Sequence, residues 1–97
     1  MNDSLDLGLK EKVAIVAGAG AKGDGIGNGR AAAILLADAG AKVIVADKDQ
    51  ELAEKTVEMI NARKGFAKSI GADLTNPSDC KRVVDFAMSQ FGRLDIL

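Results

Sequence analysis

Short, unbroken apolar runs alternate along this chain with longer stretches in which apolar and polar positions recur at helical spacing. Residues 13–17, VAIVA, are continuously apolar, rich in β-branched side chains and end at Gly18. That signature predicts a strand covered on both faces, β1. Residues 30–39, RAAAILLADA, are strong helix formers that stop at Gly40, which predicts a helix, α1. Residues 42–47, KVIVAD, repeat the strand signature as β2. Asp49 can then cap a helix, α2, with Leu52, Thr56, Val57 and Ile60 on one face and Glu51, Glu54, Lys55 and Glu58 on the other. Gly65 is expected to close it.

Residues 66–73, FAKSIGAD, make a weaker strand, β3. Asn76-Pro77-Ser78-Asp79 then offers a capping Asn, a Pro at the first helical position and an acid two residues on, three concordant start signals for α3. Its apolar stripe is Cys80, Val83, Val84, Ala87 and Phe91, and Gly92 follows. Residues 94–97, LDIL, begin a further apolar run, read as the start of β4. Strands alternating with helices predict a parallel sheet with right-handed crossovers in a three-layer α/β architecture. Repeats, linkers and low-complexity segments are absent from the sequence, so residues 1–97 are expected to form one domain.

Composition narrows the function. Thirteen Lys and Arg against fourteen Asp and Glu leave a net charge of -1, without the basic excess that nucleic acid or anionic lipid would require. The opening MNDSLDLGLKEK is polar, and no apolar stretch approaches the roughly 20 residues that span a bilayer. A cytoplasmic protein is expected. Cys80 is the single cysteine and histidine is absent, which removes internal disulfides, the usual zinc sites and a His-based nucleophilic triad. No metal site is expected. Lys48, Lys55, Lys64 and Lys68 read as solvated, and Cys80 as a small apolar member of its helix.

The chemistry-bearing stretch is GAGAKGDGIGNG, residues 18–29, with glycine at six of twelve positions. It occupies the turn between β1 and α1, where free backbone N–H groups and a helix dipole converge on anions. Three registers compete. Gly18, Gly20 and Gly23 match G-x-G-x-x-G, but that register needs helix from Gly23 onward, through three more glycines that each cost about 1 kcal/mol. A P-loop needs Gly-Lys-Ser/Thr, whereas Lys22 precedes Gly23 and the loop has no hydroxyl residue. The third register begins the helix at Gly27-Asn28-Gly29-Arg30 and fits the helical run. Asp47, at the end of β2, stands where an acid accepts from both ribose hydroxyls of an adenosine. Its charge would repel a 2′-phosphate, so NAD is preferred over NADP as cofactor.

With these features in order, the sequence resembles the short-chain dehydrogenase/reductase family. LKEKVAIVAGAG resembles the family's run into β1, RAAAILLADAGAKVIVADKD its α1 to β2 segment ending in the NAD-selecting acid, and ADLTNPSDCKRVVDFAMSQFGRLDIL its β3, α3 and start of β4. The resemblance implies a Rossmann-type doubly wound parallel sheet of order 3-2-1-4, truncated after the start of the fourth strand. Of the motif Thr-Gly-x-x-x-Gly-x-Gly, Gly18 matches the first glycine. Counting back from Gly40-Ala41 without gaps puts the last two at Gly27 and Gly29, with Asn28 at the pyrophosphate. The alternative, Gly25-Ile26-Gly27, needs two extra residues before the helix. Gly20 belongs to the same cradle. Ala17 replaces the usual Thr, and in the gapless register the loop is five residues longer than usual.

By the same resemblance Asp73 and Leu74 form the pair that recognises adenine, the carboxylate accepting from the exocyclic amine. The family's catalytic Ser and Tyr-x-x-x-Lys, in which the Tyr is the general acid/base, have no counterpart in these 97 residues, which contain no tyrosine. The expectation is the NAD(H)-binding N-terminal half of an oxidoreductase that transfers hydride between nicotinamide and an alcohol or carbonyl, inactive alone and with no catalytic residue of its own. The full-length parent could be an oligomer. Two alternatives stand beside it. A non-catalytic nucleotide-binding module or truncated relic would hold NAD, ADP-ribose or AMP; an S-adenosylmethionine-dependent transferase would carry an acid before its first glycine, where Val16-Ala17 stand. If residues 94–97 do not pair, β1 becomes an apolar edge that invites association.

Overall fold

The computed structural model describes residues 11–18 and 28–95. They form three strands and three helices in strict alternation: β1 (Val13–Ala17), α1 (Asn28–Asp38), β2 (Lys42–Asp47), α2 (Gln50–Ala62), β3 (Phe66–Gly71) and α3 (Pro77–Phe91). The strands make one parallel sheet in the order β1-β2-β3, with Val13 opposite Lys42 and Lys42 opposite Phe66 at the amino end.

The unbroken apolar runs are explained by which helix covers which face. Alternate residues of a strand point to opposite sides. In β2, Val43 and Val45 pack with Ala33 and Ala37 of α1 and Ala53 and Ile60 of α2. Ile44 and Ala46, one residue out of phase, pack with Val13 and Ile15 of β1 and Val83 and Ala87 of α3. Helices α1 and α2 therefore share one face, α3 covers the other, and the middle strand has no polar side. The third strand is weaker for a visible reason: Ala67 and Ile70 are buried while Phe66 and Lys68 remain exposed.

Most helix ends follow the expected signals. The Asp49 carboxylate accepts from the N–H groups of Glu51 and Leu52, and the Asn76 side chain from those of Ser78 and Asp79, with Pro77 opening α3. Gly40 and Gly92 both have positive φ where α1 and α3 stop. The end of α2 is different. Lys64, with φ of 65°, is the left-handed residue there, and Gly65 has another reason to be glycine. A Cβ on Gly65 would lie 2.7 Å from Ile60 Cγ2 and 3.2 Å from Ala37 Cβ, so the chain turns into β3 through a space that admits no side chain.

Two further boundaries shift. Strand β3 ends at Gly71, not at residue 73, although the Ala72 N–H still donates to the Asp47 carbonyl at 2.9 Å. Of the segment read as β4, Leu94 and Asp95 lie within the described residues. The Asp95 N–H donates to the Val13 carbonyl at 2.9 Å, and the Val13 N–H donates back to Asp95 Oδ2 at 2.9 Å. Lys42 bonds Lys12 and Gly18 bonds Ala46, so the even residues of β1 face β2 and Val13 faces the opposite side, where Asp95 meets it.

Candidate functional site

At the carboxyl end of the sheet the three strands open onto one cleft of about 310 Å³, lined by Ala17, Gly18, Ala46, Asp47, Lys48, Ala72, Asp73, Leu74 and Thr75. That volume is at the low end of the about 300–1,000 Å³ typical of small-molecule sites. Four of the expected site residues meet here: Gly18, Asp47, Asp73 and Leu74. Asn28 and Gly29 stand at the start of α1. Gly20 and Gly27, and with them the choice between the glycine registers, lie outside the described residues.

Gly18 follows β1 with φ of +64°, and its N–H donates to the Ala46 carbonyl at 2.8 Å. A Cβ there would meet nothing within 4 Å, so glycine serves the turn by its backbone conformation and leaves the floor of the cleft open. The chain thus leaves the sheet at the point where a ligand would approach it.

Asp47 closes β2 with one carboxylate oxygen, Oδ1, accepting the Asp49 N–H at 2.9 Å. That contact links the acid to the N-cap residue of α2 and fixes its position at the rim. Asp73 sits one strand over. Its Oδ1 accepts both the Thr75 N–H at 2.9 Å and the Thr75 hydroxyl at 2.6 Å. The Thr75 hydroxyl, then the Thr75 N–H, hold the Asp73 carboxyl below the usual carboxylate range, with a smaller contribution from the Lys48 charge. Asp73 is therefore an anionic acceptor at neutral pH, with Oδ2 taking no part in the Thr75 bonds. Its own N–H donates to Asp79 Oδ2 at 2.8 Å, and Arg82 donates to the Gly71 carbonyl at 2.6 Å, so α3 grips the end of β3 by two side chains. Leu74 adds an apolar wall and packs against the buried cluster that includes Ala46, Ala72 and Val83.

Three residues of consequence carried weak or no signal in the sequence. Lys48, read as merely solvated, stands on the cleft wall beside Asp47. Thr75 is the partner that sets the Asp73 carboxylate, and the Asp-x-Thr spacing was the available clue. Arg30, taken only as a helix former, is fully buried; its Nε donates to Thr56 Oγ1 at 2.7 Å and its guanidinium to the Leu52 carbonyl at 3.4 Å. Its place on the same stripe as Ala33 and Ala37, three and seven residues on, is the signal that would have found it. Cys80 is half-buried in α3, its thiol directed to the Leu74 carbonyl at 3.1 Å.

Two carboxylates and a left-handed glycine at the carboxyl ends of adjacent parallel strands suit a nucleoside: hydroxyl and amine donors for the acids, and Ala46, Ala72 and Leu74 for a flat apolar ring. Comparison with known proteins agrees. The short chain dehydrogenase family matches residues 12–97, and the chain belongs to that family. A cyclohexanol dehydrogenase of Acinetobacter sp. (strain SE19) is 41% identical over 88 residues, which make up 91% of this chain and 33% of that protein. Among solved structures, a 7α-hydroxysteroid dehydrogenase complexed with NADH and 7-oxo glycochenodeoxycholic acid superposes with a TM-score of 0.86 at 36% identity, covering 99% of this chain and 36% of that one. A metagenomic short-chain oxidoreductase in complex with NADP gives 0.80 at 30% identity, covering 92% of this chain and 38% of that one. The fold is accordingly Rossmann-type, and the cofactor class of the family is a nicotinamide dinucleotide. The chain spans about a third of the length of the curated relatives it matches. No helix among the described residues is long and apolar enough to cross a membrane.

Proposed function

We propose that residues 1–97 form one dinucleotide-binding domain, the amino-terminal part of a cytoplasmic short-chain oxidoreductase that uses NAD(H) in preference to NADP(H). The observation that carries this reading is the placement of Gly18, Asp47 and Asp73, from the ends of three successive strands, on one cleft. Asp47 would hold the adenosine ribose and Asp73 with Leu74 the adenine, while Gly18, Gly20, Gly27, Asn28 and Gly29 would cradle the pyrophosphate. Bound there, the dinucleotide supplies or accepts hydride at its nicotinamide ring, and an alcohol or carbonyl is the class of reaction partner. These 97 residues hold no tyrosine to serve as the proton donor of that reaction. By themselves they are expected to bind the cofactor without turning it over, which is also the content of the alternative reading as a binding module.

Calorimetric titration of the chain and of Asp47→Ala with NAD, NADP and ADP-ribose tests the proposal. NAD and ADP-ribose should bind, NADP should bind about tenfold more weakly, and Asp47→Ala should remove that difference. Equal affinity of the wild-type chain for NAD and NADP would sink the preference, as Lys48 beside Asp47 would then offset its charge. Absence of binding by all three ligands would sink the reading itself.

A further inference from the structure

Within the site just proposed, the ribose acid and the pyrophosphate helix belong to different crossovers, and the buried Arg30 joins the two at the end of the helices that faces the cleft. It stands in the first turn of α1 and reaches the first two turns of α2 at Leu52 and Thr56. The Thr56 hydroxyl in turn donates to the Leu52 carbonyl at 3.4 Å, closing a small polar knot inside an apolar interface. Helix α2 is capped by Asp49, whose N–H donates to Asp47 Oδ1. One chain of contacts therefore runs from the ribose acid through the cap of α2 to the start of α1.

A guanidinium is an expensive side chain to bury, and a Leu or Met of similar reach would fill the same space without that penalty. What Arg30 adds is a directional fork at a weak place, because Gly29 in the same turn disfavours helix by about 1 kcal/mol. We propose that Arg30 is a positioning residue for the dinucleotide, locking the first turn of α1 to α2 so that the pyrophosphate and ribose subsites keep a fixed separation. The inference rests on the dinucleotide reading above. It concerns the geometry between two subsites and adds no contact to the ligand.

The test compares a ligand that occupies one subsite with a ligand that bridges both. Adenosine and ADP-ribose are titrated into the wild-type chain, Arg30→Met, Thr56→Val and Thr56→Ser. Arg30→Met and Thr56→Val should keep adenosine affinity within about twofold while ADP-ribose weakens about tenfold, and Thr56→Ser, which retains the hydroxyl, should match the wild type. If adenosine and ADP-ribose weaken by the same factor, Arg30 supports the fold and nothing more, and the proposal is overturned. Unchanged ADP-ribose affinity in Arg30→Met and Thr56→Val overturns it as well. Should Arg30→Met not fold, the Thr56 pair decides. A wild-type chain that binds neither ligand removes the dinucleotide reading and this inference together, whereas wild-type binding without the selective loss removes the role of Arg30 alone.

Discussion

The two ends of the sheet are built on opposite principles. At the amino end, charges and rings are spent on one another. Phe66 and Phe91 meet edge to face at 5.6 Å, Lys42 Nζ lies within 6 Å of both ring centres, and Arg63 of the α2 cap forms a forked pair with Asp38 at the end of α1. Val13 is held there by Asp95, whose carboxylate also takes Arg93. At the carboxyl end the acids are instead held by backbone and hydroxyl donors, with Asp47 on the Asp49 N–H and Asp73 on Thr75, and both remain on the wall of a cleft. One end pairs its charges with rings and with opposite charges, and the other sets two carboxylates on the wall of an open cleft. Substitutions at the amino end should therefore change stability and spare binding, and those at the carboxyl end the reverse.

Gly65→Val should produce the largest effect. A branched side chain placed where even a Cβ comes within 2.7 Å of Ile60 and 3.2 Å of Ala37 wedges into the junction of α1, α2 and β3. Overpacking of this kind costs about 1–3 kcal/mol, read as a lower midpoint of urea unfolding. Adenosine affinity, measured where the variant is still folded, should be unchanged. A parallel loss of adenosine affinity would show that the two ends are mechanically coupled and break the comparison.

Asp73→Ala is the counterpart at the other end. Removing a charged acceptor for an amine should weaken adenosine about tenfold, while the unfolding midpoint hardly moves, because the bonds of the carboxylate to Thr75 stay within one turn. The pH dependence sharpens the assignment. Because Thr75 keeps the Asp73 carboxyl below its ordinary range, the ionised acceptor persists through mildly acidic pH. Adenosine affinity should stay flat between pH 8 and about 5 and fall only as pH drops through the usual carboxylate range and below it. A wild-type affinity that is already falling at pH 6 would point to a different acceptor.

How much of this was legible in the sequence follows from whether a signal was local. Strand β2, the caps Asp49 and Asn76, and the left-handed Gly40 and Gly92 each depend on a few neighbouring residues, and the structure has them where the pattern placed them. The convergence of Asp47 and Asp73 was legible through chain order alone, since parallel strands bring their carboxyl ends together. What escaped was tertiary. Arg30 looks like any helix former until α2 lies across it, and Gly65 reads as a stop signal until Ile60 and Ala37 are seen to leave no space for a Cβ.

The smallest expected effect is also the one whose sign needs argument. Lys64 pays for a left-handed backbone, with φ of 65°, that costs an L-residue about 1–2 kcal/mol and glycine almost nothing. Lys64→Gly removes that cost in the folded chain but also frees the unfolded chain, which returns about 0.4–1 kcal/mol to the other side. The Lys64 side chain is exposed and takes no part in the amino-end contacts of Lys42, Phe66 and Phe91, so little packing is lost. The net should be a stabilisation of about 0.5 kcal/mol, seen as a small rise in the denaturation midpoint with the slope unchanged. Destabilisation by Lys64→Gly would mean that the lysine stem contributes to the closure of the amino end, and that the end sealed by Phe66 and Arg63 extends one residue further than its contacts show.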